Sequence, residues 1–107
     1  MIHWPAIIQY AGQGELGYVP DQRAWESDPH LQMHAWQPAD RLIDSRGVVH
    51  ALRQGMLPQP TAHSVALDEL LHIIRAHAAQ AGLCCTAKLS APSIAEAVRL
   101  VGTLHED

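Results

Sequence analysis

The sequence predicts an α+β fold: an antiparallel-rich sheet of about five strands with two main helices and one short helix, in the order ββα-ββα-βα. Three patterns carry that prediction. Leu67, Leu70, Leu71, Ile74, Ala78 and Ala81 recur at helical spacing and stop at Gly82. Two pairs of short apolar runs are joined by glycine-bearing turns, the signature of hairpins. Ser93-Ile94-Ala95-Glu96 fits the capping box S-x-x-E that opens a helix, with Pro92 just before it.

Taken in order, Ala6–Tyr10 is a strand, Ala11–Glu15 a turn, and Leu16–Val19 the return strand of a hairpin that Pro20 stops. Asp21 is placed to cap a short helix through Glu26, with Trp25 as its inward anchor. Asp28-Pro29 breaks that helix, because a residue before proline disfavours the α conformation. His30–Pro38 has no periodicity; a turn of helix and irregular packing around Trp36 fit it equally. RLID and VVHALR then flank Ser45-Arg46-Gly47, a loop that suits a type I turn with a left-handed glycine. In that register Ile43 faces Val49 and Leu42 faces His50. Gln54–His63 reads as a connection with two prolines, and Ser64 as the cap of the main helix. After Gly82, Leu83–Leu89 reads as a strand, with Leu83, Cys85, Ala87 and Leu89 on one face and Cys84, Thr86 and Lys88 on the other. The last helix presents Ile94, Ala97, Val98, Val101 and Leu104 to the core. The helices are expected mainly on one face of the sheet.

A chain of 107 residues makes a single compact domain over residues 1–107 the natural count, and it is long enough to bury a core without staples. The apolar fraction of 48% and charged fraction of 17% are those of a globular protein. A net charge of −4 with one lysine argues against nucleic acid and anionic membrane as partners, since phosphate contacts need clustered cations. No apolar run approaches the roughly 20 residues of a membrane span, and MIHWPAIIQY lacks a basic leader and cleavage site. The two cysteines are adjacent, a poor arrangement for an unstrained disulfide, so a reducing cytoplasm is the expected setting. Eight histidines are the compositional oddity; protonating all of them would move the formal charge from −4 to +4.

HWPAIIQYAG, the LIDSRGVV hairpin, and above all RAHAAQAGLCCTAKL followed by SIAEAV resemble a small bacterial family, domain of unknown function 4144. The resemblance covers nearly the whole chain. It implies a compact stand-alone α+β domain and brings no activity, cofactor or site residue with it.

The loudest motif is Gly12-Gln13-Gly14-Glu15-Leu16-Gly17, which satisfies G-x-G-x-x-G and, with Tyr18-Val19, the kinase glycine-loop form. Its context excludes both meanings: the dinucleotide fingerprint opens a helix, whereas here a strand follows and Pro20 ends it. A kinase also needs H-R-D and D-F-G, and neither occurs. A flexible hairpin turn remains. His30 and His34 are four apart, the spacing that puts two imidazoles on one helix face, with Asp28 close by. Pro29 and the want of a second ligand pair count against a structural zinc site. His72 and His77 are five apart, roughly 140° around a helix, and do not converge. Cys84 and Cys85 sit away from any helix N-terminus, so Cys85 reads as a core residue and Cys84 as its opposite-face neighbour. Lys88, the only lysine, has no acid or base beside it and reads as an edge guard. Ile73 lies about 120° off the main helix face, flanked by Ala66 and His77, and is a candidate second contact. Trp25 and Trp36 sit in the least regular segment and are either anchors or an interface.

No convergent catalytic set assembles from these residues, and no cofactor is implied. The reading is a non-catalytic cytoplasmic binding or protein-interaction domain using Trp25, Trp36 and Ile73. The alternative is a histidine-based metal- or ligand-responsive protein using His30 and His34. Apart from Ile73, Ser64–Leu104 reads as scaffold, which gives a direct check: Leu71→Ala should cost about 2–5 kcal/mol in equilibrium denaturation.

Overall fold

The computed structural model describes residues 2–12, 14–83 and 86–105. Short alternating runs build its sheet. Strand β1 (Ala6–Gln9) pairs with β2 (Leu16–Val19) so that Ala6 faces Val19 and Gln9 faces Leu16. On its other side β1 pairs with β3 (Arg41–Asp44), which turns into β4 (Val48–Ala51). The turn is the one the sequence predicts: Gly47 has φ 84 and its N–H donates to the Asp44 carbonyl at 2.9 Å. The register follows, with Ile43 opposite Val49 and Leu42 opposite His50. Strand β5 (Gln59–Ser64) completes the antiparallel order β2-β1-β3-β4-β5. The fold is α+β, five strands with helices packed on them.

The fifth strand comes from a different segment than the pattern predicts. Gln59–Ser64 is polar and carries Pro60, yet it pairs as the outermost strand, where a missing N–H costs least. Its register shifts between Val48 and His50, and Thr61 Oγ1 donates to the Val49 carbonyl at 2.7 Å there. Ser64 therefore ends a strand and caps nothing. The Val65 N–H donates to the Gly47 carbonyl at 2.9 Å, and helix α3 (Leu67–Gln80) starts from Ala66, which has no side-chain cap. Buried Val65 and Leu70 flank that start as a hydrophobic staple, and Asp68 and Glu69 sit in the first turn where the helix dipole favours them. Leu70, Leu71, Ile74 and Ala78 are buried as their spacing predicts; Ala81 is exposed, because the helix ends there, and His77 is buried instead. Gly82, at φ 82, closes α3: its N–H reaches the Ala79 carbonyl and that of Leu83 reaches Ala78.

Leu83–Leu89 is not a strand where it is described. Leu83 is irregular and exposed, and Thr86–Lys88 is a single 3-10 turn; Cys84 and Cys85 lie outside the described residues. With β5 already on β4, this segment runs instead along α3, where Arg75 Nε donates to the Leu89 carbonyl at 2.8 Å. Helix α4 (Ile94–His105) begins as its capping box requires, with the Glu96 N–H on Ser93 Oγ at 3.2 Å.

Both faces of the sheet are covered, not mainly one. Ile7, Leu16, Ile43 and Val49 pack under α3 and α4, with Ala97, Val98 and Val101 from the latter. Gly102 lets α4 come close to β2, since a Cβ there would sit 2.5 Å from the Tyr18 ring. The opposite face, from Ala6, Ile8, Val19 and Leu42, takes Trp25 from helix α1 (Gln22–Ser27) and Leu31 from helix α2 (Pro29–Met33). Two short helices thus replace the single one predicted. Among the described residues no helix is long and apolar enough to cross a membrane.

Gly47 is fixed twice over. Its φ of 84 disfavours any side chain, and a Cβ there would meet the Val65 carbonyl oxygen at 2.9 Å and Ile94 Cδ1 at 3.0 Å. Gly47→Ala should therefore destabilise by about 1–3 kcal/mol, read as a lower denaturant midpoint with unchanged m.

Candidate functional site

The unpatterned stretch after Trp25 becomes ordered through side-chain clamps. Asp21 Oδ1 caps α1 through the Ala24 N–H at 2.7 Å, and Asp28 Oδ1 caps α2 through the His30 N–H at 2.9 Å. Gln32 Nε2 ties α2 back to the Trp25 carbonyl at 2.7 Å. Buried Asp40 accepts from the N–H groups of Ala11, at 2.5 Å, and Gln37, at 2.7 Å, joining the end of β1 to the segment that carries Trp36. Three rings stack as a result. Trp25 and Trp36 lie 6.0 Å apart at 14°, and Trp36 and Tyr10 lie 5.9 Å apart at 18°. His34 packs 4.4 Å from Trp36 and edge-on to Tyr10 at 5.7 Å, and His30 lies 5.4 Å from His34. Burial raises the Tyr10 hydroxyl above its ordinary pKa, with the charges of Asp28, Asp40 and Glu15 adding to it. Beside the stack, Pro29, His30, Met33, His34 and Ala35 line a shallow open depression, and Met33 is 73% exposed.

A second feature lies on the same side of the sheet. Ile2, Trp4, Leu57, Pro58 and Pro60 line a groove of about 480 Å³, with the amides of Gln22 and Gln59 at its rim. Leu57 is 39% exposed and its neighbour Met56 49%. The loop that carries them is tied to α2, since Gln54 Nε2 donates to the Met33 carbonyl at 3.3 Å.

A buried hydrogen-bonded pair joins β3 to β4. Asp44 and His50 are each 0% exposed, with Oδ2 and Nε2 3.0 Å apart. Burial disfavours the Asp44 charge, but the His50 ring and the N–H groups of Arg46, His3 and Val48 all hydrogen-bond to it and hold its carboxyl below the ordinary value. A carboxylate only accepts, so Nε2 of His50 carries the hydrogen; Nδ1 has no partner among the described residues.

The predicted residues separate in space. Trp25, 1% exposed, is core; Trp36 is half-buried over it, and both indole Nε1 atoms are buried without a partner among the described residues. Ile73 packs against the α3–α4 core on the far face. His30 and His34 do come together, but no group of three or more His, Cys, Asp or Glu among the described residues is placed to hold a metal ion. The glycine motif is the β1–β2 turn, and it docks on α3, where His77 Nδ1 accepts the Leu16 N–H at 3.0 Å. The groove is what the sequence pattern does not show. Its one local signal is the run Met56-Leu57-Pro58, apolar residues in a segment with no partner strand of its own period.

The Asp44 shift fixes the sign of a pH effect. A carboxyl whose pKa folding lowers stabilises fully above its ordinary value of 3.8, and that stabilisation is lost as pH falls through the lower folded value. Asp44→Asn, which weakens hydrogen bonds made to a charged group, should cost on the order of 3 kcal/mol at pH 7. Denaturation between pH 7 and pH 3 should show the variant losing less stability in acid than the parent does.

Comparison with known proteins agrees with this architecture. The chain is similar to a protein from Shewanella amazonensis solved by NMR, with 28% identity and a TM-score of 0.73 over 98% of this chain and 91% of that one. No curated protein sequence matches. A family model described as a protein structure with unknown function matches residues 4–101. The chain belongs to that family, domain of unknown function 4144.

Proposed function

We propose that this chain is a non-catalytic binding module that takes an extended apolar segment of a protein partner. The observation that carries the reading is the groove of Ile2, Trp4, Leu57, Pro58 and Pro60, which leaves Leu57 partly exposed next to exposed Met56. Contiguous apolar surface with a polar rim is what a partner's side chains cover. Gln22 and Gln59 supply that rim, and their amides both donate and accept, which suits the backbone of an extended chain. None of the seven residues lining the groove is ionisable, so it holds no general acid, base or activated nucleophile.

In this reading Trp36 and its stack are the wall that holds α2 against the sheet, and Ile73 has no part in recognition. The module works in the cytoplasm, in keeping with adjacent cysteines that are poorly placed to pair. A random displayed-peptide library selected against the parent chain tests it. Apolar, extended sequences should be enriched, and Leu57→Glu should weaken them tenfold or more, about 1.4 kcal/mol. If no peptide distinguishes the parent from Leu57→Glu, the groove is not a recognition surface.

A further inference from the structure

The geometry points to a second site, independent of the groove: His30, Met33 and His34 bind one soft monovalent metal ion, Cu(I). All three residues line the same open depression. An imidazole that binds through nitrogen at about 2 Å places its ring centre about 3 Å from the ion, so two rings on one ion have centres at most about 6 Å apart. The centres of His30 and His34 are 5.4 Å apart, tilted by 58°.

Met33 decides which ion. It is 73% exposed, more than Met56, Leu57 or Leu83, so its thioether is held out in water without packing to explain it. Its main chain is held by Gln54 through the 3.3 Å bond to its carbonyl. A zinc site of structural type needs four nitrogen, sulfur-anion or carboxylate ligands, and no group of even three His, Cys, Asp or Glu converges among the described residues. Thioether and imidazole together suit Cu(I), which accepts two or three ligands. The site is also held in place before the ion arrives. His34 is packed between Trp36, at 4.4 Å, and the edge of Tyr10, at 5.7 Å, and the His30 backbone is pinned by Asp28 at 2.9 Å. These are positioning residues, in the way that neighbours orient metal-bound histidines elsewhere. The ligand set is neutral, so the bound ion keeps its single positive charge.

The test titrates the full chain carrying Cys84→Ser and Cys85→Ser, which removes competing thiolates, with Cu(I) under anaerobic conditions and with Ag(I) as a redox-inert substitute. One equivalent should shift the Met33 ε-methyl and the His30 and His34 ring signals together and quench tryptophan emission. Met33→Leu, similar in volume, should weaken Cu(I) binding tenfold or more while leaving any Zn(II) binding unchanged. If the cysteine variant does not fold, the same methyl signal, assigned by its loss in Met33→Leu, is followed in the parent chain beyond the equivalents its thiolates take up. A Met33 methyl that does not move, Met33→Leu binding equal to the parent's, or Zn(II) bound as tightly as Cu(I) would each overturn the site. The groove's peptide selection reads different residues, so either proposal fails without touching the other.

Discussion

The buried carboxylate of Asp44 is the point on which the rest of the structure depends. It satisfies the N–H groups of Arg46 and Val48 inside its own turn, reaches the N–H of His3 in the chain before β1, and takes the His50 ring across the hairpin. Those bonds make the turn a junction. Ser45 adds two more to the leading segment, its N–H to the His3 carbonyl and its Oγ to that of Pro5. Gly47 then receives the Val65 N–H just before α3 and lies against Ile94 of α4. One four-residue turn therefore sets where the N-terminal segment, the β5–α3 junction and the last helix all meet. A buried charge is retained at such a place only if every bond it makes is good, because the desolvation cost of an unpaired carboxylate is several kcal/mol.

That junction links stability to the groove. Ile2 and Trp4, two walls of the groove, belong to the segment that His3 and Pro5 fasten to the turn. The opposite walls, Leu57 to Pro60, belong to the chain that leaves β4 and returns as β5. The groove exists because Asp44 holds one side to the sheet while the β4–β5 pairing holds the other. Loss of the carboxylate would loosen one wall while leaving the other paired, which separates the site's geometry from the fold of the α3–α4 face.

Much of this fold is legible in the sequence because its signals are local. Asp21 and Ser93 cap the helices they precede, Asp28-Pro29 ends α1, Gly82 ends α3, and the Ser45-Arg46-Gly47 turn fixes the β3–β4 register to the residue. What escaped lacks local pattern. Gln59–Ser64 is a strand only because β4 offers it an edge; its polar, proline-bearing sequence has no strand signal of its own. Thr86–Lys88 has the alternation of a strand but forms a single 3-10 turn outside the five-stranded sheet. His77 falls beside Ile73, off the main apolar face, by spacing, and its sequence gives no sign that a backbone N–H across 61 residues supplies its partner. The sites follow the same rule. Trp25–Pro38 is legible as a place where pattern fails, and the His30–His34 approach follows from their spacing. Trp25 is buried as the anchor its short helix needs, but the packing of Ile73 and the groove that Trp4 and Leu57 share are long-range facts that no window of sequence contains.

The two faces of the sheet are built on different physics, and this explains why both candidate sites lie on one of them. Under α3 and α4 the packing is helix on sheet, with aliphatic side chains at regular spacing and the helix backbones satisfied internally. The other face has only the six residues of α1 and the five of α2, too short to be stable helices alone. They are held by Trp25 and Leu31 below and by the bonds of Asp21, Asp28, Gln32, Asp40 and Gln54 around them. Short elements fixed by individual bonds leave gaps between them, whereas a long amphipathic helix closes its face completely. The gaps are where Met33 stands in water and where Leu57 meets Trp4. Covering a sheet with clamped fragments thus gives up burial that a helix would have supplied, and leaves shaped, chemically mixed surface in its place.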